Sequence, residues 1–314
     1  MSVGDELSSR TVLVTGAGGF FGGHVASRLS SVGAEVHSIH HSEPSQSLPE
    51  SPHRRYVGDV TDEQFLDTCF REARPEYVYH LAAKTTSRGE SAGVVETNVT
   101  GTKNVFEKAV EHDAEGVVFT SSAYRYADTR TAKTESHPVA ASSLYDASKR
   151  SGERLARSYS ENEGLSVAVA VPFLVYGPRQ TPAGGLIPSA IASALEDESF
   201  RVRCTDHVRD PVFVGDAVDA LLNATIRLAD DDWMLFNVCG GTGMTAGEMV
   251  GDIYELVGAD ARPTYDHAAE CEQTASHLVG DPSHAAELLD WKPTTSWRDG
   301  LRRTVEAARR ESDS

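Results

Sequence analysis

The chain has 314 residues, of which 39% are hydrophobic, and a formal net charge of −18. This length suggests about two domains with buried cores, and the negative charge argues against nonspecific binding to nucleic acid or anionic membranes. The sequence contains no apolar run near the ~20 residues that span a bilayer, and its first residues lack the basic and apolar regions of a signal peptide. We therefore expect a soluble, cytoplasmic protein. Salt adaptation and an arginine-rich coding bias would both produce its charge balance.

The four cysteines, Cys69, Cys204, Cys239 and Cys271, lie far apart in the sequence. They form no Cys-x-x-Cys pair, so they indicate neither a zinc site nor a disulfide framework, and we expect reduced thiols. The histidines and carboxylates likewise form no cluster with metal-ligand spacing. No metal site is predicted.

The first predicted unit begins with a β-branched apolar run, Thr11–Thr15, that leads directly into the glycine-rich turn Gly16–Gly22. A helix is predicted from His24 to Val32 and a second strand over Glu35–Ile39. This order of strand, tight turn, helix and strand is a βαβ unit of about 30 residues, the setting in which such a turn binds a dinucleotide.

Further strands are predicted at Arg55–Val57, Tyr77–Leu81, Gly116–Thr120 and Ser166–Val171, with helical patterns between them. Strands that alternate with helices and are apolar on both faces indicate an α/β fold with a doubly wound parallel sheet, the Rossmann arrangement. The regular alternation ends near Tyr176. We predict a dinucleotide-binding domain over residues 1–177 and a smaller substrate domain over 178–314, with some later segments returning to the first. The last helix is predicted over 297–310.

The glycine turn carries three glycines at a spacing of three, Gly16, Gly19 and Gly22. They permit the tight turn, let the backbone approach a pyrophosphate and let the helix pack on the strand, while the helix N-terminus presents N–H donors to the anion. The turn therefore predicts a dinucleotide cofactor.

Tyr145 and Lys149 lie about 120 residues downstream of the turn, four residues apart. On a helix they share a face, so the ammonium group of Lys149 could favour the phenolate of Tyr145. A tyrosine with a lowered pKa can act as a proton donor or acceptor near neutral pH. Combined with the glycine turn, the pair indicates dinucleotide redox chemistry.

With these motifs, the chain resembles the extended short-chain dehydrogenase/reductase family, in particular its nucleotide-sugar epimerases, dehydratases and reductases. The resemblance extends over nearly the whole chain. The segments that carry it are Gly16–Gly22, Gly58–Asp62, His80–Lys84, Asn98–Thr102, Phe119–Tyr124, Val175–Pro178, Arg209–Val214 and Leu289–Pro293.

The resemblance implies a catalytic triad of Ser122, Tyr145 and Lys149. Ser122 would hydrogen-bond the reacting oxygen, Tyr145 would pass the proton, and Lys149 would lower the tyrosine pKa and hold the nicotinamide ribose. Ser121 is the alternative for the serine role. A non-catalytic dinucleotide sensor on the same fold would typically lack the tyrosine or the lysine, and this chain has both.

The resemblance also implies binding residues, with Asp59 contacting adenine. The cofactor set is Gly16, Gly19, Phe20, Phe21, Gly22, His40, Asp59, Val60, Leu81, Ala82, Ala83, Lys84, Asn98, Tyr145, Lys149 and Pro172. The substrate set is Thr86, Ser122, Tyr124, Leu174 and Arg209.

Departures from the family pattern narrow the expected reaction. The 4,6-dehydratases carry an Asp-Glu pair where this chain has Ala123 and Tyr124, which argues against dehydration. Leu174 replaces an asparagine that helps seat the nucleotide diphosphate, although Arg209 retains one diphosphate-binding arginine. We expect a 4-epimerase or 4-ketoreductase of a nucleotide sugar. A reductase or dehydrogenase of a smaller carbonyl or alcohol is the alternative.

The cofactor-selecting position also departs from the pattern. An acid that accepts both ribose hydroxyls is expected at the end of the second strand, and His40 stands there instead. Without that carboxylate a 2′-phosphate is not repelled, so the sequence leaves NAD and NADP open with a slight preference for NADP. By the same resemblance, we expect a homodimer formed by the helices after Asn98 and around Tyr145.

Overall fold

The computed structural model describes residues 3–42, 54–85, 92–182, 185–266 and 275–312. Its helices are α1 (Val3–Leu7), α2 (Phe20–Ser31), α3 (Glu63–Ala73), α4 (Thr102–Glu111), α5 (Leu144–Glu163), α6 (Leu186–Leu195), α7 (Val214–Arg227), α8 (Ala246–Val257), α9 (Ser283–Leu289) and α10 (Trp297–Ser312). Its strands are β1 (Thr11–Thr15), β2 (Glu35–His40), β3 (Arg54–Val57), β4 (Tyr77–His80), β5 (Gly116–Thr120), β6 (Val167–Pro172), β7 (Leu174–Tyr176), β8 (Arg201–Arg203), β9 (Val208–Arg209), β10 (Pro211–Phe213), β11 (Trp233–Val238), β12 (Met244–Thr245), β13 (Thr264–Asp266) and β14 (His277–Leu278). A π-helical segment (Glu96–Gly101) precedes α4, and a 3₁₀ turn (Ala123–Arg125) follows β5.

The central sheet has seven strands in the order β3-β2-β1-β4-β5-β6-β11, and every neighbouring pair is parallel. Side chains alternate across it: Val12 and Val14 of β1 belong to the core that includes α2 and α7, whereas Leu13 belongs to the core that includes α3, α4 and α5. Both faces are therefore covered by helices, which confirms the predicted doubly wound α/β fold.

The seventh strand comes from the second half of the chain. β11 pairs with β6 from Trp233 beside Val167 to Val238 beside Pro172, and the preceding α7 packs on α2. The core on the α2 side of the sheet also includes buried residues of α6 and α8, such as Ile191 and Ile253. The strand β11 thus belongs to the Rossmann sheet, and α7 covers one of its faces. The N-terminal and C-terminal parts of the chain share one continuous core on this face.

Short sheets beyond the end of β6 build the smaller part of the molecule. β7 pairs with β10, β8 with β13, and β9 lies between β12 and β14. β7 follows β6 after a single residue, Phe173, so these short strands lie next to the carboxyl edge of the large sheet. That edge is where doubly wound proteins bind their ligands.

Helix α2 begins four residues before the predicted start, at Phe20. Gly19 is its N-cap, in an extended conformation with φ −84° and ψ 170°, and no side chain caps this end. The helix therefore starts inside the glycine turn, which places the uncapped N–H groups of its first turn at the predicted phosphate site.

The cysteines differ from the sequence-based expectation at one position. Cys69 and Cys239 are free and buried, but Cys204 is disulfide-bonded. The prediction of a reduced thiol is therefore wrong at Cys204, because sequence separation does not report which loops come together in space. Among the described helices, none is both long and apolar enough to cross a membrane.

Candidate active site

The glycine turn forms a cradle against the end of β4. Gly16 has φ +72°, and a Cβ there would lie 2.7 Å from the amide nitrogen of Ala82. A Cβ on Gly22 would lie 2.2 Å from the carbonyl oxygen of Gly16. Only glycine fits both positions, since a side chain would push the turn away from β4 or the helix away from the turn. With the uncapped start of α2 at Phe20, the residues present fit a pyrophosphate-binding turn.

Asp59 and His41 lie at the neighbouring edge, after β3 and β2. The Asp59 carboxylate accepts hydrogen bonds from the backbone N–H of Thr61 at 2.9 Å and from its hydroxyl at 2.8 Å, and it lies 3.4 Å from Nδ1 of His41. Partial burial opposes the charge of Asp59, but the Thr61 hydrogen bonds and His41 hold its pKa below the usual value. Asp59 is therefore ready to accept a hydrogen bond at neutral pH.

His40 lies beneath the glycine turn and is fully buried. Its Nε2 is 3.0 Å from the hydroxyl of Ser38, and its Nδ1 would lie 3.1 Å from a Cβ on Gly18. The structure thus places His40 at the predicted strand end, but its ring presents no surface to a ligand in this conformation.

A buried chain of hydrogen bonds holds the ends of β1 and β4 together. Thr102 donates its hydroxyl to the carbonyl of Asn98 at 2.7 Å, so it must accept from Nε2 of His80, 2.9 Å away. Nδ1 of His80 then accepts from the hydroxyl of Thr15 at 2.7 Å, and that hydroxyl accepts the N–H of Ala82 at 3.2 Å. Burial, followed by the charge of Lys149, lowers the pKa of His80 to about 3, so the ring is neutral.

Asn98 connects this strand edge to helix α5. It lies in the π-helical segment, a geometry often found at functional sites. Its Oδ1 accepts the N–H of Lys84 at 2.7 Å, and its Nδ2 donates to the carbonyl of Lys84 and to the hydroxyl of Ser148, both at 2.9 Å. Ser148 in turn donates to the carbonyl of Tyr145 at 2.7 Å. Asn98 therefore fixes the Leu81–Lys84 backbone relative to the helix that carries Tyr145 and Lys149.

Helix α5 begins with a capping box that determines where Tyr145 and Lys149 lie. The Ser143 hydroxyl accepts the N–H of Asp146 at 3.1 Å, and the Asp146 carboxylate accepts the N–H of Ser143 at 3.0 Å. Tyr145 is in the first turn, where its phenol lies close enough to the Ser122 side chain for Ser122 to influence its pKa. The structure brings together the predicted serine and tyrosine from elements that are distant in sequence.

The protonation states of Tyr145 and Lys149 differ from the expectation. Burial raises the pKa of Tyr145 to about 12, and the Ser122 side chain acts in the opposite direction. Burial lowers the pKa of Lys149 to about 8, and the charge of Glu153 opposes this change. Nζ of Lys149 lies over the Phe119 ring, 4.9 Å from its centroid. The net pKa of the phenol is thus raised where the sequence predicted a lowered value, and the effect of Lys149 on it stays a prediction.

Ser121 faces a different environment from Ser122. Its hydroxyl donates to the carboxylate of Glu153, a buried residue of α5 that the sequence analysis missed. Both serines face α5 but meet different residues: Ser121 contacts Glu153, whereas Ser122 lies next to Tyr145, about two turns earlier in the helix. This geometry favours Ser122 over Ser121 as the serine of the triad.

A pocket opens beside Ser122 at the carboxyl edge of the sheet. Eight residues line it: Ser122, Ala123, Tyr124, Pro172, Phe173, Leu174, Arg209 and Leu278. Five of them were predicted as site residues. Thr86, also predicted, lies outside the described residues, so its position stays a prediction.

Arg209 is held at one wall of this pocket. Its guanidinium carbon lies 6.0 Å from the centre of the Tyr124 ring, and its Nη1 donates to the carbonyl of Val208 at 2.9 Å. The next residue, Asp210, is fully buried and accepts the N–H groups of Gly240 and Gly280 at 2.8 and 3.0 Å. These bonds tie three loops together, so the backbone that carries Arg209 is well fixed.

Several supporting residues were not identified from the sequence. Thr15, His80 and Thr102 form the hydrogen-bonded chain, Ser148 connects Asn98 to α5, and Glu153 holds Ser121. The available signal was a polar residue at an otherwise apolar position, such as His80 at the end of the buried strand β4. Burial of such a residue requires a hydrogen-bond partner, which sequence spacing does not identify.

One surface group of potential metal ligands occurs among the described residues, formed by Asp67, Glu111 and His112. Arg71 donates to Asp67 at 3.2 Å, and Lys108 pairs with Glu111. These cations already neutralise the two carboxylates, and the group includes none of the residues that line the pocket.

Comparison with known proteins identifies the family. The profile of the NAD dependent epimerase/dehydratase family matches residues 12–239, which is most of the chain and contains the glycine turn, Ser122, Tyr145 and Lys149. The chain belongs to this family. It is accordingly an enzyme of the extended short-chain dehydrogenase/reductase type, as its motifs predicted.

Individual members of the epimerase/dehydratase family match almost end to end. The UDP-glucose 4-epimerase of Mycolicibacterium smegmatis is 31% identical over 96% of this chain and 99% of its own length. The crystal structure of UDP-glucose 4-epimerase from Thermotoga maritima with UDP-glucose has a TM-score of 0.88 at 29% identity and covers 96% of this chain and 99% of its own. The Thermus thermophilus UDP-glucose 4-epimerase complex with NAD has a TM-score of 0.85 at 26% identity, covering 95% and 98%.

Proposed function

We propose that this protein is a nucleotide-sugar 4-epimerase or 4-ketoreductase in which Ser122, Tyr145 and Lys149 form the catalytic triad. The observation that carries the proposal is the approach of the Ser122 and Tyr145 side chains next to the pocket at the carboxyl edge of the sheet. The glycine turn lies at the same edge, after β1, so a redox cofactor and a sugar can meet there.

The cofactor of this proposal is NAD, which acts as acceptor and donor of a hydride. The family description names NAD, and the Thermus thermophilus relative holds it. The preference for NADP that His40 suggested has no support among these relatives, and the buried ring of His40 offers no donor to a 2′-phosphate. The glycine turn would hold the pyrophosphate, Asp59 the adenine, and Lys149 the ribose hydroxyls next to the nicotinamide.

In this proposal the triad residues have different roles in proton transfer. The Ser122 hydroxyl would donate a hydrogen bond to the sugar oxygen at the reacting carbon, and the Tyr145 phenol would exchange a proton with that oxygen. Because burial keeps the phenol protonated, Tyr145 is already in the form needed to protonate the oxygen during carbonyl reduction. The proposed task of Lys149 is to hold the ribose with its ammonium group.

The pocket argues for hydride transfer without elimination of water. None of the eight described residues that line it carries a carboxylate. Elimination of water from a sugar needs an acid and a base at adjacent carbons, and Ala123 and Tyr124 occupy the positions after Ser122. We therefore propose epimerisation or ketone reduction at C4 in preference to dehydration.

The substrate in this proposal is a nucleotide sugar, with Arg209 available to its diphosphate. Relatives with UDP-glucose in their structures support this choice. The apolar wall of Pro172, Phe173, Leu174 and Leu278 is the observation that favours the second candidate, a smaller carbonyl or alcohol substrate.

A turnover assay separates these reactions. The purified protein is given UDP-glucose or UDP-galactose without added cofactor, and the sugars are followed by NMR. An epimerase interconverts them with no net consumption of reduced cofactor, whereas a ketoreductase consumes NADH only when a 4-ketosugar nucleotide is offered. Turnover of simple carbonyl compounds but of no nucleotide sugar would replace the proposal with the second candidate.

The assembly that accompanies this function is a homodimer. Val95 and Leu144 are 47% and 43% exposed, near the start of the π-helical segment and at the start of α5. The family resemblance implies an intersubunit contact through the helices after Asn98 and around Tyr145; Leu144 lies in the second, and Val95 lies shortly before the first. Burial of such side chains favours association.

A further inference from the structure

A buried cluster of charges lies behind the proposed triad, on the side of α5 that faces β5. At its centre is Glu153, which is 4% exposed. Its Oε1 accepts the hydroxyl of Ser121 and lies 3.0 Å from Nε of Arg125, while its Oε2 pairs with Arg150. A buried carboxylate with this number of partners needs a structural or functional reason, because removal of the charge from water is costly.

Glu153 is one helical turn after Lys149 on α5. Residues at this spacing are neighbours on the helix surface, and Lys149 is itself buried, with its ammonium group over the ring of Phe119. Among the described residues, Glu153 is the group whose charge stabilises this ammonium. His80 also lies within its electrostatic range, but its ring is neutral.

We propose that Glu153 is a positioning residue that keeps Lys149 charged and turns Ser121 away from the pocket, so that Ser122 alone faces Tyr145. This inference rests on the proposed function for its consequence, because a neutral amine at Lys149 would bind the ribose hydroxyls less well. Arg125 and Arg150 are part of the same cluster, since they pair with the carboxylate and fix its direction.

The pH range in which Lys149 titrates is separate from that of its neighbours. The pKa of Lys149 is lowered to about 8 by burial, that of His80 to about 3, and that of Tyr145 is raised to about 12. Between pH 6 and 9, His80 therefore stays neutral and Tyr145 stays protonated. A change of cofactor affinity around pH 8 would therefore reflect the titration of Lys149.

The sign of the Glu153 effect follows from its charge. Without the carboxylate, desolvation of the ammonium group is opposed only by the Phe119 ring, so Lys149 loses its proton at a lower pH. In Glu153→Gln we expect its titration midpoint to fall by about one pH unit. In Arg150→Gln the carboxylate loses one competing cation, and the midpoint should move to higher pH. Shifts of the Lys149 midpoint in opposite directions in Glu153→Gln and Arg150→Gln would distinguish this role from a general disturbance of packing.

The experiment is an NMR titration of the protein labelled with ¹³C-lysine. The chain has six lysines, and the Lys149 signal is identified by its loss in Lys149→Met. Glu161→Gln is the matched control, because Glu161 lies on the same helix and pairs with Arg157 at the surface. It should leave the Lys149 midpoint unchanged.

A second measurement is the dissociation constant for NAD as a function of pH. Wild-type affinity should fall as the pH rises through about 8, and the fall should begin at lower pH in Glu153→Gln. At pH 6.5 the variant should recover nearly wild-type affinity, a rescue that damaged packing would not show. If Glu153→Gln does not fold, the upward shift in Arg150→Gln decides the question.

The inference is overturned if the Lys149 midpoint stays in place in Glu153→Gln, or in Arg150→Gln where only that variant folds. Its failure is distinguishable from failure of the proposed function, because the titration requires no turnover. A displaced midpoint together with an active Tyr145→Phe enzyme would refute the catalytic triad while leaving the role of Glu153 intact.

Discussion

Tyr145 is the residue on which the proposed chemistry depends most directly. Tyr145→Phe keeps the ring but removes the phenol oxygen next to Ser122. We expect turnover to fall by at least ~10²-fold, the usual size of a lost general acid–base step, with NAD affinity preserved. Steady-state kinetics and a binding isotherm measure the two effects. Tyr159→Phe, on the same helix but packed on Phe106, is the control, and near-normal turnover of Tyr145→Phe would refute the assignment.

Ser121 and Ser122 provide a second test at the level of single residues. Ser122→Ala removes the hydroxyl next to Tyr145, whereas Ser121→Ala removes a hydroxyl that Glu153 already engages. We expect Ser122→Ala to lower kcat more strongly. The reverse order in a side-by-side rate comparison would transfer the catalytic role to Ser121.

His40 tests the cofactor choice. Its ring is buried under Gly18 and contacts Ser38, so we expect His40→Asn to change the ratio of the NAD and NADP dissociation constants by less than about threefold, equivalent to under ~0.7 kcal/mol. Titration of both cofactors against both proteins measures the ratio. A change of tenfold or more would show that the ring turns toward the ribose when the cofactor binds.

At the scale of the element, helix α5 depends on a close approach to β5. A Cβ on Gly152 would lie 2.6 Å from Cζ of Phe119, the ring that supports the ammonium group of Lys149. Gly152→Ala should therefore destabilise the protein by about 1–3 kcal/mol through overpacking and weaken NAD binding by displacing Lys149. Urea denaturation and a binding isotherm test both effects.

Gly251 is the matched control because it also lies within a helix, α8. Its added Cβ would meet the Tyr265 hydroxyl oxygen at an ordinary 3.6 Å. Gly251→Ala should be neutral or stabilise by up to about 1 kcal/mol, since alanine favours a helix over glycine. If Gly152→Ala and Gly251→Ala changed the free energy of unfolding and the NAD affinity equally, α5 could move away from β5 without a loss of stability.

At the scale of the whole molecule, the proposed dimer can be tested at its exposed apolar side chains. Leu144→Asp places a charge at the start of α5, where an intersubunit contact would bury it, and should yield a monomer by light scattering at micromolar concentration. Leu256 is exposed to a similar extent, 39%, on α8, and Leu256→Asp should leave the dimer intact. A monomeric wild type would contradict the proposal.

Much of the architecture and of the candidate site was predictable from local patterns. Apolar runs of four to six residues separated by helical patterns predict a parallel sheet covered by helices on both faces. The turn requires glycine at positions 16 and 22 because a side chain there would collide with the backbone. The Tyr145 to Lys149 spacing and the Ser143 to Asp146 capping box also act within a few residues. Sequence alone determines such features because the interacting groups are neighbours along the chain.

The tertiary structure decided the features that depend on contacts between distant segments. β11 joins the sheet beside β6 across sixty residues of chain, and Glu153 selects between Ser121 and Ser122 from another element. Burial keeps His40 from the ligand surface and Tyr145 protonated. Orientation, burial and pKa are set by everything packed around a side chain, and these neighbours come together only when the chain folds.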